Sequence, residues 1–150
     1  MADQGLDAAE IVDDPSRLPD EQAWAFLTRR TLGRLGYHLG TEVHMTPVNY
    51  AVVDGQVLFR TAPGSKLLGV VLNADVAFEV DEVDEVAGRA TSVVARGVAT
   101  RLDEAQIRAL GTAGPRPWVA TEKEEVVAIR LTAISGRSFV HTVDPGDDAG

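Results

Sequence analysis

The sequence predicts a mainly β domain with peripheral helices: a small antiparallel barrel of six to seven strands. Three observations predict it. From Gly33 the pattern changes from helical to strand-like, and residues 75–81 alternate with the period of a half-buried strand. Asp54-Gly55 stands between two apolar runs, the signature of a two-residue hairpin. The remaining connections are short, which favours antiparallel neighbours, and closing six or seven such strands into a barrel removes exposed edges. The 150 residues bound one domain. A chain of this length buries about 68–70% of its unfolded surface and needs no disulfide or metal staple.

The elements follow in order. Leu18-Pro19-Asp20-Glu21 opens a helix, because Pro is tolerated in a first turn and acids there favour the positive dipole end. Ala23, Trp24, Phe26 and Leu27 give it an apolar face, and Arg29-Arg30 suit its C-terminal end near Thr31. Strands are predicted over 32–39, 43–53 and 56–61, the last two joined at Asp54-Gly55. Ala62-Pro63-Gly64 breaks the sheet. Ser65 then caps a short helix over 66–73 whose Leu67, Leu68, Val70 and Val71 make one stripe. Residues 75–81 alternate, with Val76, Phe78 and Val80 inward and Ala77, Glu79 and Asp81 outward. An acidic turn over 82–88 leads to a long strand, 89–102, with a bend at Gly97. Asp103 caps a helix to Leu110, an irregular loop runs through Pro117 to Trp118, and two strands, 126–131 and 138–140, close the domain around a turn at Gly136.

Composition excludes several functions. There is no cysteine, so thiol nucleophiles, disulfides, iron–sulfur clusters and Cys-zinc sites are out. The net charge of −9 argues against nucleic acid, which needs clustered Lys and Arg. That charge is uneven. Residues 1–17 carry five acids against Arg17 alone, and residues 141–150 carry three acids and no base, so only −2 belongs to residues 18–140. Residues 1–17 and 141–150 therefore read as disordered acidic tails around one domain, 18–140. The first residues lack an apolar export segment and no run approaches the ~18 apolar residues that span a bilayer, so the expected location is the cytoplasm, away from membranes.

Most candidate motifs fail. His38 and His44 could be cross-strand neighbours, but without a third ligand they make no metal site, and His141 lies in the tail. No Gly stands at position 59, so Gly64-Ser65-Lys66 does not complete a P-loop, and no βαβ unit surrounds Gly33-Arg34-Leu35-Gly36. Glu79 and Asp81 share a strand face, where a solvated pair is the plain reading. One segment carries chemistry: a strand ending at Arg60-Thr61, a Gly-containing loop, and a helix opening at Ser65-Lys66. Hydroxyls at Thr61 and Ser65 and charge at Lys66 and Arg60 make a phosphate cradle unlike a P-loop. Only two of the fourteen basic residues are lysines, Lys66 and Lys123, which singles Lys66 out further. A regular strand would point Arg60 and Thr61 to opposite faces, so both cannot serve one cradle from a straight strand.

These residues resemble a family. Leu32-Gly33-Arg34-Leu35, Pro47-Val48-Asn49-Tyr50, Phe59-Arg60-Thr61 with Gly64-Ser65-Lys66, Phe78-Glu79-Val80-Asp81, Arg96-Gly97 and Gly136-Arg137, in that order, resemble the pyridoxamine 5'-phosphate oxidase-like split-barrel flavoproteins, in particular the nitroimidazole-resistance-type group. The resemblance implies a split β-barrel homodimer with FMN at the subunit interface and a small-molecule substrate. It implies that Arg60, Thr61, Ser65 and Lys66 hold the flavin phosphate, that Pro47, Val48 and Asn49 run along the isoalloxazine, and that Trp118 closes the site from the partner. The spacing from Thr61 to Lys66 is one residue shorter than in the true oxidases, and their C-terminal Trp-to-Arg motif is missing, which puts pyridoxamine phosphate oxidation itself in doubt. No residue in the segment is an acid, base or nucleophile for catalysis, which suits chemistry carried by a bound cofactor. Two alternatives stay open: a deazaflavin F420 reductase, for which Arg29, Arg30, Arg34 and Arg116 could line a basic groove, and a non-catalytic flavin- or haem-binding module.

Overall fold

The structure is a computed structural model and describes residues 16–114 and 125–140. Seven strands and three helices alternate along it: β1 (Arg17–Leu18), α1 (Asp20–Thr28), β2 (Leu32–Leu39), β3 (Glu42–Val53), β4 (Gln56–Thr61), α2 (Lys66–Val71), β5 (Asp75–Asp84), β6 (Arg89–Arg101), α3 (Glu104–Leu110) and β7 (Glu125–Val140). Every strand pairing is antiparallel. The order β7-β4-β3-β2-β5-β6 closes on itself through a β6–β7 ladder, and β1 adds outside β7. The barrel expected from the alternation is present. No helix among the described residues is long and apolar enough to cross a membrane.

The elements match the local chemistry. Asp54 and Gly55 both take positive φ, 51° and 72°, the conformation that Asp-Gly hairpins need. Ser65 accepts from the Leu68 N–H to cap α2, and Asp103 and Gln106 form a reciprocal capping box at α3. On β5 Val76, Phe78 and Val80 are buried while Asp81 is exposed. The core joins these to Leu35 of β2, Tyr50 of β3, Phe59 of β4, Val93 and Ala95 of β6, Ile129 of β7 and the Phe26–Leu27 face of α1. A smaller cluster, Leu58, Val126 and Ala128, lies on the outer face under α3.

Three boundaries differ from expectation. The closing segment is one strand, β7, not two strands around a turn. Gly136 sits in the ladder, opposite Val93 and Leu18, and its lack of a side chain lets α1 approach: a Cβ there would lie 3.1 Å from the Ala23 Cβ. A glycine that signals a breaker is here a close approach. β5 runs on to Asp84 because the ladder with β6 continues to Asp84↔Arg89. α1 stops at Thr28, and Thr31 instead offers its carbonyl to the Tyr50 N–H.

The barrel has two narrow seams. β3 pairs with β4 only from Tyr50↔Phe59 to Val53↔Gln56, and β2 pairs with β5 only over Arg34–Gly36. The β2–β3 ladder itself runs from Leu32↔Asn49 to Leu39↔Glu42, so this hairpin is tied to the rest at its sides by short stretches. Packing reinforces one seam. The Phe78 ring meets Tyr50 edge-on, centroids 4.7 Å apart, and occupies the space over Gly33, where a Cβ would stand 2.3 Å from Phe78 Cζ.

Gly33→Ala therefore displaces Phe78 and is expected to cost about 1–3 kcal/mol of stability. Gly97→Ala is expected to cost more, because its Cβ would stand 2.2 Å from the backbone oxygen of Arg130, which cannot swing aside. Denaturant unfolding of both variants measures this; an unchanged midpoint in either would contradict the packing described.

Candidate functional site

The sheet register fixes where the predicted site residues fall. The β3–β4 pairing stops at Tyr50↔Phe59; carried two residues further it would set Val48 opposite Thr61 and Asn49 opposite Arg60. The barrel splits there, since β3 beyond this point pairs only with β2 and β4 only with β7. Val48 is buried, and the Asn49 side-chain oxygen is buried as well. Pro47 alternates with Val48 and lines an outer cavity of about 200 Å³ with Leu32, Gly33, Arg34 and Asp81.

Thr61 and Ser65 meet. Their Oγ atoms are 2.9 Å apart, and Ser65 Oγ also accepts from the Leu68 N–H at 3.2 Å. Whichever hydroxyl donates to the other, one O–H remains for a further acceptor. Gly64 at φ 69° turns the chain into this arrangement, and exposed Lys66 follows directly. α2 has only six residues, so the cradle rests on hydroxyls and an ammonium rather than on an accumulated helix dipole. Arg60 does not join it. β4 stays regular through Thr61↔Glu125, and the Arg60 guanidinium comes within 4.0 Å of where a Cβ on Gly114 would be, on the α3 side of the sheet. Trp118 and Arg116 lie outside the described residues.

A second constellation was only half legible. Glu79 and Asp81 share a face as predicted, but Arg34 stands between them, with Nη1 donating at 2.9 and 3.1 Å. Burial first, then the hydrogen bond and charge of Asp81, pushes the Glu79 carboxyl above the usual range against the pull of Arg34. Arg30 pairs with Glu82 and lies 3.7 Å from the centroid of the Phe26 ring. Two of the four arginines considered for a basic groove are thus already neutralised by acids. The histidines separate: Tyr37 is opposite His44, their rings stacked at 5.7 Å, while His38 is opposite Val43. Among the described residues no group of three or more metal-ligating side chains forms.

The model of the family described as pyridoxamine 5'-phosphate oxidase matches residues 19–138. The chain belongs to that family. An uncharacterised protein of Mycobacterium tuberculosis is 31% identical over 138 residues, 89% of this chain and 88% of the relative. Among solved structures, a FAD binding protein from Mycobacterium smegmatis superposes with a TM-score of 0.74 at 36% identity, covering 84% of this chain and 99% of that one. A Corynebacterium glutamicum protein carrying the same family name gives 0.74 at 37%, covering 83% and 97%. The split barrel is thus both the observed topology and the family's.

The Arg34 contact yields a test. In Arg34→Ala the Glu79 carboxyl should titrate at still higher pH, because the guanidinium is what holds it down; carboxyl NMR would read the shift, and an unmoved midpoint would rule out charge coupling. The folded state takes the Glu79 proton at higher pH than the unfolded chain, so stability rises as pH falls from above the raised midpoint toward the ordinary Glu range.

Proposed function

We propose that this chain is a flavin-binding oxidoreductase that works as a homodimer on a small molecule. The observation that carries the reading is the Thr61–Ser65 hydroxyl pair, one O–H of which is available beside Lys66 at the split in the barrel. A phosphate monoester fits that set: one hydroxyl donor from the Thr61–Ser65 pair and the lysine next in sequence, with no carboxylate in the turn over residues 61–66. Val48, at the register position opposite Thr61, would support the flavin ring, with Pro47 and Asn49 alternating with it along β3. Arg60, facing α3, would act from the other face.

When bound, a flavin supplies hydride and electron transfer. The chain's own residues bind and orient: the O–H that the Thr61–Ser65 pair leaves over fixes the phosphate by a directional hydrogen bond, Lys66 supplies charge without fixed geometry, and the narrow seam leaves β3 backbone groups near Val48 free of β4. FMN is the form the sequence resemblance implies. The FAD-binding mycobacterial relative supports the dinucleotide, and either form presents the same first phosphate to the cradle. The deazaflavin alternative loses support because Arg30 and Arg34 already pair with Glu82, Glu79 and Asp81.

Purified protein titrated with FMN should develop a bound-flavin spectrum and a higher melting temperature, and spectra and melting temperature identical to those without flavin would overturn the reading. Lys66→Ala should weaken FMN binding roughly tenfold or more, and Thr61→Val by a similar order, as expected for hydrogen bonds to a charged group. A Lys66→Ala affinity equal to wild type would mean the phosphate sits elsewhere. Flavin that binds but is reduced by no nicotinamide donor and reoxidised by no acceptor would favour a binding module over an enzyme. Sedimentation of the flavin-loaded protein as a monomer would remove the dimer from the proposal.

A further inference from the structure

β2 and β5 separate beyond Gly36. Their ladder ends at Gly36↔Ala77; carried two residues further it would set His38 opposite Asp75, but no pairing continues there. The opening forms a groove of about 700 Å³, in the size range of small-molecule sites. One register row crosses it: Met45 on β3, Gly36 on β2, Ala77 on β5, Arg96 on β6 and Ala133 on β7. Gly36 and Ala77 keep the floor low, and a Cβ on Gly36 would just touch the Ala77 Cβ at 3.7 Å. Val43 and Met45, 74% and 68% exposed, stand along one side as an apolar wall.

The groove carries charge of both signs. Asp75 and Arg96 both line it. Asp75 is opposite Val98 and Arg96 opposite Ala77, so the two are diagonal neighbours. Residues so placed lie about 7–8 Å apart, within reach of a long side chain. They form no ion pair with each other, and neither side chain has another partner among the described residues. Glu79, the other acid diagonal to Arg96, is taken by Arg34. His44 is engaged as well: its Nε2 lies 2.9 Å from Glu42 Oε2 and its ring stacks on Tyr37. The β6–β7 register shift falls at Arg96, where the Thr132 hydroxyl donates to the Arg96 carbonyl, and a bulge of this kind re-aims the side chain it carries. An anionic ligand would meet the Asp75 carboxylate here, and a cationic one the Arg96 guanidinium. A ligand with both charges satisfies both groups.

We propose that this groove binds an α-amino acid with a large apolar side chain. Its ammonium meets Asp75, its carboxylate meets Arg96, and its side chain lies over Gly36 and Ala77 toward Met45 and Val43. Three strand spacings separate Met45 from Arg96, roughly 14 Å, a span that the Arg96 side chain and an amino acid of phenylalanine's length fill together. A guanidinium holds a carboxylate in a directional, charge-assisted contact, which fixes the orientation of the ligand. The site does not rest on the flavin reading: Thr61 pairs with Glu125, eight residues before Ala133 on β7.

Chemical-shift titration of the full chain with L-phenylalanine, L-phenylalaninamide and 3-phenylpropionate tests this. Phenylalanine should saturate the chain by about 10 mM and perturb the amides of Gly36, Ala77 and Arg96. The amide lacks the carboxylate and the propionate lacks the ammonium, so each should bind about tenfold more weakly. Arg96→Gln should weaken phenylalanine by a similar factor and leave phenylalaninamide unaffected, whereas Asp75→Asn should weaken phenylalanine and leave 3-phenylpropionate unaffected. Lys66→Ala should not alter phenylalanine affinity, which separates this result from any loss of flavin binding, and melting temperatures check that each variant folds. The proposal is overturned if phenylalanine does not saturate, if the three ligands bind alike, or if Arg96→Gln and Asp75→Asn leave its affinity intact. Variants that shift only the oligomeric state of a chain that takes up no phenylalanine would identify the groove as a contact between copies, and would overturn it too.

Discussion

Closure of the barrel depends on one close backbone approach. At Gly97 β6 shifts register against β7, and the glycine lies so near the Arg130 carbonyl that no side chain fits. A bulge of this kind bends a strand and sharpens its twist. The bend lets the start of β7 pair with β4 on one edge and β6 on the other, while its far half still follows β6 out to Arg89↔Val140. The β6–β7 ladder covers the β6 edge that an open sheet would leave free. The same shift falls beside Arg96 and Ala133, which line an open groove on the outside of the ring.

Tyr50 ties the end of α1 to the barrel, beside the apolar face that α1 packs on the core. The Tyr50 hydroxyl donates to the Leu27 carbonyl and its N–H to that of Thr31, while its ring packs against Phe78. Burial pushes the phenol far above its usual range, so it stays protonated as a donor at physiological pH. The helix end, the β3 seam and the core layer are thus linked through one side chain just before the chain reaches Val48 and the split.

Much of this was legible in the sequence, for identifiable reasons. Alternation along 75–81, the Asp54-Gly55 turn and the Ser65 and Asp103 caps are local signals, and each appears where expected. Thr61 and Ser65 were legible as a pair because the loop between them is short. Arg60 was not separable from them by spacing alone, although the strand period already set it on the other face. Gly136 misled because sequence cannot distinguish a glycine that breaks a strand from one that admits a helix. Arg34 between Glu79 and Asp81, and Arg17 opposite Arg137, were invisible because strand register joins residues 45 and 120 positions apart.

The narrow seams give the β2–β3 hairpin a separate energetic character. An element tied by few ladder bonds opens at lower free energy than the global transition, as a unit of its own. This hairpin carries Val48 to the split in the barrel and Gly36 and Met45 to the outer face of the sheet. Order imposed on it at either end would lower the same local-opening cost along its whole length, with hydrogen-exchange protection of Leu32 to Asn49 as the signature.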